Sequence, residues 1–165
     1  MKRLTAALSL FFAMLIHSAG SAQSTDTEHM LNLNDCRIML IFARVWNKSP
    51  LIQRENATWI VVNSQGEYES KDWYHTPQRR KQEWDGPLPH QAVALAHTHP
   101  DHLDPKPSEQ DGSVARKIQI PLYTLTRKGI WKVTANGVIT QESGPGWFKN
   151  TMASCGNDSK IAEKK

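Results

Sequence analysis

The apolar run at residues 92–96 and the polar residues after it constrain the fold more than any other feature of this 165-residue chain. The run Ala-Val-Ala-Leu-Ala predicts a buried β-strand. Side chains alternate between the two faces of a strand, so His97 and His99 project from the same face where this strand ends. The sequence therefore predicts two imidazoles that face one point at the edge of a sheet.

A helix predicted shortly after the histidines supplies a third candidate ligand. Pro107-Ser108 is a typical helix opening, and Asp111 falls in the first turn of a helix that runs to about residue 120. That turn brings Asp111 back toward the strand end. A catalytic zinc ion takes three ligands from imidazole and carboxylate groups and leaves a fourth position for water. We therefore expect His97, His99 and Asp111 to hold one Zn²⁺ per chain.

These residues together resemble the JAMM motif of the JAB/MPN metalloproteases, in which His-x-His is followed by Ser-x-x-Asp. Eight residues, 100–107, separate the second histidine from Ser108, where the family usually has seven; a loop absorbs one extra residue easily. The resemblance covers about residues 55–133. It implies an α/β fold of one domain, with helices flanking a mixed sheet. It also implies zinc-dependent cleavage of a peptide or isopeptide bond in a peptide or protein substrate.

The resemblance also implies an upstream glutamate that acts as the general base. Glu55 is the first candidate because it directly precedes a strand-like run of β-branched residues; Glu67 and Glu69 are the alternatives, and Glu83 lies in a predicted loop. The base takes a proton from the attacking water and passes it to the leaving amine. Ser108 is expected to donate a hydrogen bond to the oxyanion, or alternatively only to cap the helix.

A second metal motif overlaps the first, because residues 97–102 also fit the His-x-His-x-Asp-His signature of metallo-β-lactamase-type hydrolases, with Asp101 and His102 as added ligands. Such enzymes need further histidines downstream, and the sequence has none after His102. Ser108 and Asp111 would also have no role. A further alternative is a catalytically inactive binding module of the JAB/MPN type, although such a module does not need the complete ligand set.

The N-terminus predicts export. Residues 1–22 carry two basic residues, an apolar run over 8–16 and a small-residue end, which together are typical of a secretory signal peptide. The apolar run is too short to span a membrane, so no membrane insertion is expected after cleavage. We expect a secreted or periplasmic protein whose mature part, residues 23–165, forms one domain. The sequence does not predict its oligomeric state.

Export affects the interpretation of the only two cysteines, Cys36 and Cys155. In an oxidising compartment the natural inference is a disulfide between them, and the alternative is a pair of unpaired buried thiols. The formal net charge of +4 includes two basic residues of the predicted signal peptide. Nothing in this modest charge calls for a nucleic-acid partner.

The segment 71–87 is rich in aromatic and turn residues and precedes the strand that leads to the histidines. Trp73 and Trp84 are predicted either to form a wall of a substrate cleft or to dock this loop on the core. Elsewhere, apolar spacing predicts a helix over about residues 28–46 and a hairpin over 121–133. The resemblance does not place the residues after Gly137.

Overall fold

The computed structural model describes residues 30–48, 55–73, 84, 86–99 and 104–156. The predicted signal peptide, residues 1–22, lies outside this part of the chain. Glu83, Asp101 and His102 lie outside it as well.

In chain order the described elements are α1 (Cys36–Lys48), β1 (Ala57–Val62), β2 (Tyr68–Asp72), β3 (Ala92–Thr98), α2 (Glu109–Ile118), β4 (Leu122–Thr126), β5 (Gly129–Val133), β6 (Ile139–Ser143) and α3 (Trp147–Cys155). The six strands form one mixed sheet in the order β2-β1-β3-β4-β5-β6, which confirms the predicted α/β class. All neighbouring pairs are antiparallel except β3 and β4, which are parallel and are connected through α2.

The burial of each strand follows its position in the sheet. The central strands β3 and β4 are apolar and almost wholly buried, whereas the edge strands β2 and β6 are polar and mostly exposed. A strand with a neighbour on each side and helices on both faces must be apolar throughout. The predicted buried strand at residues 92–96 is therefore a central one, and it places His97 in the interior of the sheet.

Helices cover both faces of the sheet. Helices α1 and α3 contact each other, and residues of both belong to one apolar core that includes Phe42 and Trp147. Helix α2 covers the opposite face, where a second core includes Trp59 and Leu122. The two cores meet the sheet from opposite sides, so the protein has three layers of secondary structure around one sheet.

Helix α1 begins later than the apolar spacing predicts. The predicted start near residue 28 is wrong, because the side chain of Asp35 caps the helix: its Oδ1 accepts a hydrogen bond of 2.8 Å from the backbone N–H of Arg37. Asn32 makes a similar local bond to the N–H of Asn34 just before the cap. Apolar residues before the cap, such as Leu31, still join the core but from outside the helix.

A disulfide joins Cys36 at the start of α1 to Cys155 at the end of α3, as predicted, with Cα atoms 5.4 Å apart. Neither thiol is free, so the alternative of two unpaired cysteines is wrong. At the other end of α3, the indole N–H of Trp147 donates 2.8 Å to the carbonyl of Thr126 and anchors the helix on β4. Among the described residues, no helix combines the length and the apolar character needed to cross a membrane.

Candidate metal centre

The ligand atoms of His97, His99 and Asp111 lie within 4.8 Å of one another, so this group could hold a metal ion. Nε2 of His97 lies 3.6 Å from Oδ1 of Asp111, and Nε2 of His99 lies 3.6 Å from Oδ2. For comparison, ligand atoms bound tetrahedrally at about 2.1 Å from zinc are about 3.4 Å apart. Small side-chain adjustments therefore suffice for the three residues to bind one ion.

Each histidine owes its position to β3. His97 pairs with Ala57 of β1 on one side and with Thr124 of β4 on the other, so its backbone is fixed within the sheet. His99 follows the last residue of β3, and its N–H donates 3.0 Å to the carbonyl of Leu125. The alternation of side chains along this strand places both imidazoles on the face covered by α2, as the sequence predicts.

Asp111 is held by the cap of α2. The backbone N–H and the hydroxyl of Ser108 donate to Oδ2 of Asp111 at 2.6 and 2.8 Å, and the N–H of Asp111 donates to the Ser108 hydroxyl at 3.2 Å. This reciprocal arrangement is a capping box. It restricts the carboxylate to the N-terminal end of the helix, beside the histidines. The single hydroxyl proton of Ser108 is used in this cap, so the hydroxyl must turn before it can donate to an oxyanion.

A backbone carbonyl outside the predicted site selects the tautomer of His99. Nδ1 of His99 lies 2.8 Å from the carbonyl oxygen of Asp104. A carbonyl only accepts hydrogen bonds, so in the neutral ring Nδ1 carries the proton and the lone pair of Nε2 is available to a metal. This contact could not be predicted from the sequence, because a backbone carbonyl has no signature there.

The electrostatic environment favours ligand-competent forms of two of the three residues. Burial lowers the pKa of His97 to about 4 against the opposing charge of Asp111, so its imidazole is neutral at pH 7. Burial alone would raise the pKa of Asp111, but the adjacent His99 and His97 and the two hydrogen bonds from Ser108 outweigh it and hold that pKa well below its usual range. For His99, burial lowers the pKa and its bonds to Asp111 and Asp104 raise it, with a net increase.

Glu55 lies on the same face as the histidines. The N–H of Thr98 donates 2.9 Å to the carbonyl of Asn56, which continues the β1–β3 pairing and places Glu55 across from His99. Glu55 lines the same pocket as the three candidate ligands. Burial raises the pKa of its carboxyl to about 7, against the opposing charge of His99 and with a further increase from Asp111. A carboxyl with such a pKa can exchange a proton near neutral pH.

The alternative glutamates lie at the other end of β1. The hairpin closes where Val62 pairs with Tyr68, and Glu67 there forms an ion pair of 2.9 Å with Arg37 of α1. Glu69 accepts a hydrogen bond of 2.7 Å from the side chain of Asn63. Neither lines the pocket that contains the histidines. Of the three glutamates predicted for this role that the structure describes, Glu55 alone is brought to the site.

The two candidate substrate-binding tryptophans have different surroundings. A pocket of about 140 Å³ contains the three candidate ligands, and Trp73 lines it together with Ser108. Trp84 is not among the lining residues: its ring packs 5.7 Å from Trp73 and 5.8 Å from Trp59, and its indole N–H donates 2.9 Å to the carbonyl of Pro87. Trp73 thus forms a pocket wall, and Trp84 packs behind it against Trp59.

No protein-family model matches the chain, and a search of curated proteins found no match. The resemblance to the JAB/MPN metalloproteases therefore rests on the sequence motif alone. Asp101 and His102, the added ligands of the metallo-β-lactamase alternative, lie outside the described residues, so that alternative stays a prediction.

Proposed function

We propose that this protein is an exported zinc-dependent amide hydrolase that cleaves peptide or isopeptide bonds, as its resemblance to the JAB/MPN family implies. One observation carries the proposal. His97, His99 and Asp111 converge within ligand distance of one another, and Glu55 lines the same pocket. Two imidazoles and one carboxylate are the donor set of a known class of catalytic zinc sites, and that set leaves a position open for water or substrate.

The three candidate ligands fit a zinc ion in chemistry as well as in spacing. His97 is buried and neutral, Asp111 is ionised, and the Asp104 carbonyl leaves Nε2 of His99 free to bind. When bound in such a site, zinc acts as a Lewis acid that polarises a carbonyl group and makes water more acidic. The residues of the chain then have to orient the substrate and move protons.

Glu55 is the proposed general base. Its carboxylate would accept a proton from the attacking water and then donate that proton to the nitrogen of the leaving amine. A partly buried carboxyl in a pocket is suited to both steps, because its pKa of about 7 makes both protonation states accessible. Ser108 would turn its hydroxyl from Asp111 toward the oxyanion of the tetrahedral intermediate, a role that is worth roughly 10²–10³ in kcat for comparable donors.

The disulfide between Cys36 and Cys155 supports a secreted or periplasmic location, because such bonds persist in oxidising compartments. An exported enzyme would not normally meet cytosolic ubiquitin-like modifiers. We therefore propose that its substrate is a peptide or protein outside the cytoplasm, such as an amide crosslink of a cell-wall peptide or a secreted partner protein.

The test is hydrolysis of a panel of peptide, isopeptide and cell-wall amide substrates by the zinc-loaded protein and by Glu55→Gln. We expect Glu55→Gln to bind zinc normally and to lose about 10²–10⁴-fold in activity. The matched control is Glu69→Gln, a change of the same kind at a solvent-facing position that does not line the pocket. Full activity in Glu55→Gln would exclude this residue as the base, and a panel with no zinc-dependent cleavage would contradict the proposed function.

A further inference from the structure

The pocket extends beyond the candidate metal ligands into an apolar chamber. Its apolar lining includes Ala57 of β1, Leu95 of β3, Leu122 of β4 and Val114 of α2. Leu95 and Leu122 are direct neighbours in the β3–β4 pairing. The chamber therefore lies between the sheet and α2, on the same face as the candidate metal ligands.

The chamber and the metal ligands are close enough to hold parts of one substrate residue. Leu95 precedes His97 by two positions on the same face of β3, which corresponds to about 7 Å along a strand. Ala57 is the direct cross-strand partner of His97. A side chain that branches next to a carbonyl group at the metal end can therefore extend into the chamber.

Size and polarity restrict which side chain fits. A cavity of about 150 Å³ accommodates benzene, and one water molecule takes about 30 Å³. The whole pocket measures about 140 Å³, part of which is needed at the metal end, so the chamber suits a branched aliphatic group better than a fused aromatic ring. Among the described lining residues, the acidic groups Glu55 and Asp111 lie at the metal end. An acidic substrate side chain in the chamber would be desolvated by the apolar lining and repelled by these two carboxylates.

We propose that this chamber is a specificity subsite that binds an aliphatic side chain of valine or leucine size on the residue next to the scissile amide. That the bound residue lies next to a cleaved bond rests on the proposed hydrolase function, whereas the binding of an aliphatic amide in the chamber is independent of catalysis. It predicts a preference for aliphatic over glycine or acidic residues at that position.

Val114 offers a direct test because it is only partly buried and lies on the helix side of the chamber. The probes are N-acetyl-leucinamide, N-acetyl-glycinamide and the amide of N-acetyl-aspartate, titrated into the purified protein and followed by NMR chemical shifts. We expect leucinamide to bind at least about tenfold more tightly than glycinamide, as contacts of this size give in apolar pockets. Val114→Phe should abolish that difference by filling the chamber.

Two further variants make the result independent of folding defects. Val138→Phe is the matched control, since Val138 is 58% exposed between β5 and β6 and lies outside the pocket; it should keep the preference. Val114→Ala should enlarge the chamber and shift the preference from leucinamide toward N-acetyl-phenylalaninamide. Equal binding of leucinamide and glycinamide, or a preference unchanged in both Val114 variants, would overturn the subsite.

Hydrolysis assays on the same proteins separate this inference from the proposed function. Zinc-dependent cleavage without any aliphatic preference would overturn the subsite and leave the hydrolase function standing. A Val114-dependent preference for leucinamide in a protein that cleaves nothing would support the chamber as a binding site and contradict the hydrolase function.

Discussion

Removing the disulfide, by Cys36→Ala together with Cys155→Ala, should lower the free energy of unfolding by about 5 kcal/mol. The two cysteines are 119 residues apart in sequence. In the chain-entropy model a loop of this length restricts the unfolded chain by about 16 cal/mol/K, which is about 5 kcal/mol at 25 °C. Both helices keep their apolar contacts, such as Trp46 against Trp147, so the native state of the variant should retain its fold.

Thermal and urea unfolding measure this effect. For a domain of roughly 130 residues the entropy of unfolding is about 0.27 kcal/mol/K, so Tm should fall by about 18 °C. The m-value should rise, because the unfolded chain without the crosslink exposes more surface. A reductant should reproduce the shift in the wild type and have no effect on the variant. A loss of less than about 1 kcal/mol would refute the entropic reasoning. The disulfide and the candidate metal ligands lie on opposite faces of the sheet, so the variant should still bind metal, and a loss of bound metal would contradict this expectation.

Two other predictions concern polar side chains that hold a partner in place. Ser108→Ala should lower the free energy of unfolding by about 1 kcal/mol, because the helix cap is lost. It should also weaken zinc binding by about 10–100-fold, because Ser108 orients Asp111. Calorimetry and zinc titration measure these losses, and Ser108→Thr should restore most of both. Glu142→Gln should lower stability by about 1–3 kcal/mol, less than for a fully buried pair, because it removes the negative charge that lies 2.9 Å from the buried Lys132 ammonium. Burial raises the pKa of Glu142, but the effects of Thr140 and Lys132 outweigh it and lower that pKa below its usual value. The stabilisation by this pair is therefore present above the unfolded pKa of the carboxyl and is lost as the pH falls through the lower folded value. Urea unfolding between pH 3 and 7 should show this loss in the wild type, and an identical acid profile in Glu142→Gln would contradict the role of the pair.

The parts of the site that the sequence predicted are those with local signals. The alternation of side chains in a buried strand placed His97 and His99 on one face, and the pattern from Ser108 to Asp111 is a capping signal that needs no knowledge of the rest of the fold. The hairpin of β4 and β5 was predicted for the same reason, since apolar strands flank the turn at Lys128 and Gly129. In each case the information lies within a few residues.

The features that the sequence did not reveal depend on contacts between distant segments. The apolar chamber needs Ala57, Leu95 and Leu122 side by side, and only the strand order of the sheet brings them together. The position of Glu55 opposite His99 depends likewise on the β1–β3 register. Strand β6 has an exposed, polar sequence without clear alternation, because it is an edge strand that buries little.

The metal content of the purified protein tests the central claim most directly. Elemental analysis should find about one zinc per chain in the wild type and none in His97→Ala with His99→Ala. His90→Ala is the matched control, since His90 is exposed and lies outside the pocket, and it should keep the zinc. Two metals per chain would favour the metallo-β-lactamase alternative. A wild-type protein that binds no zinc even after reconstitution would contradict the proposed metal centre and the hydrolase mechanism built on it.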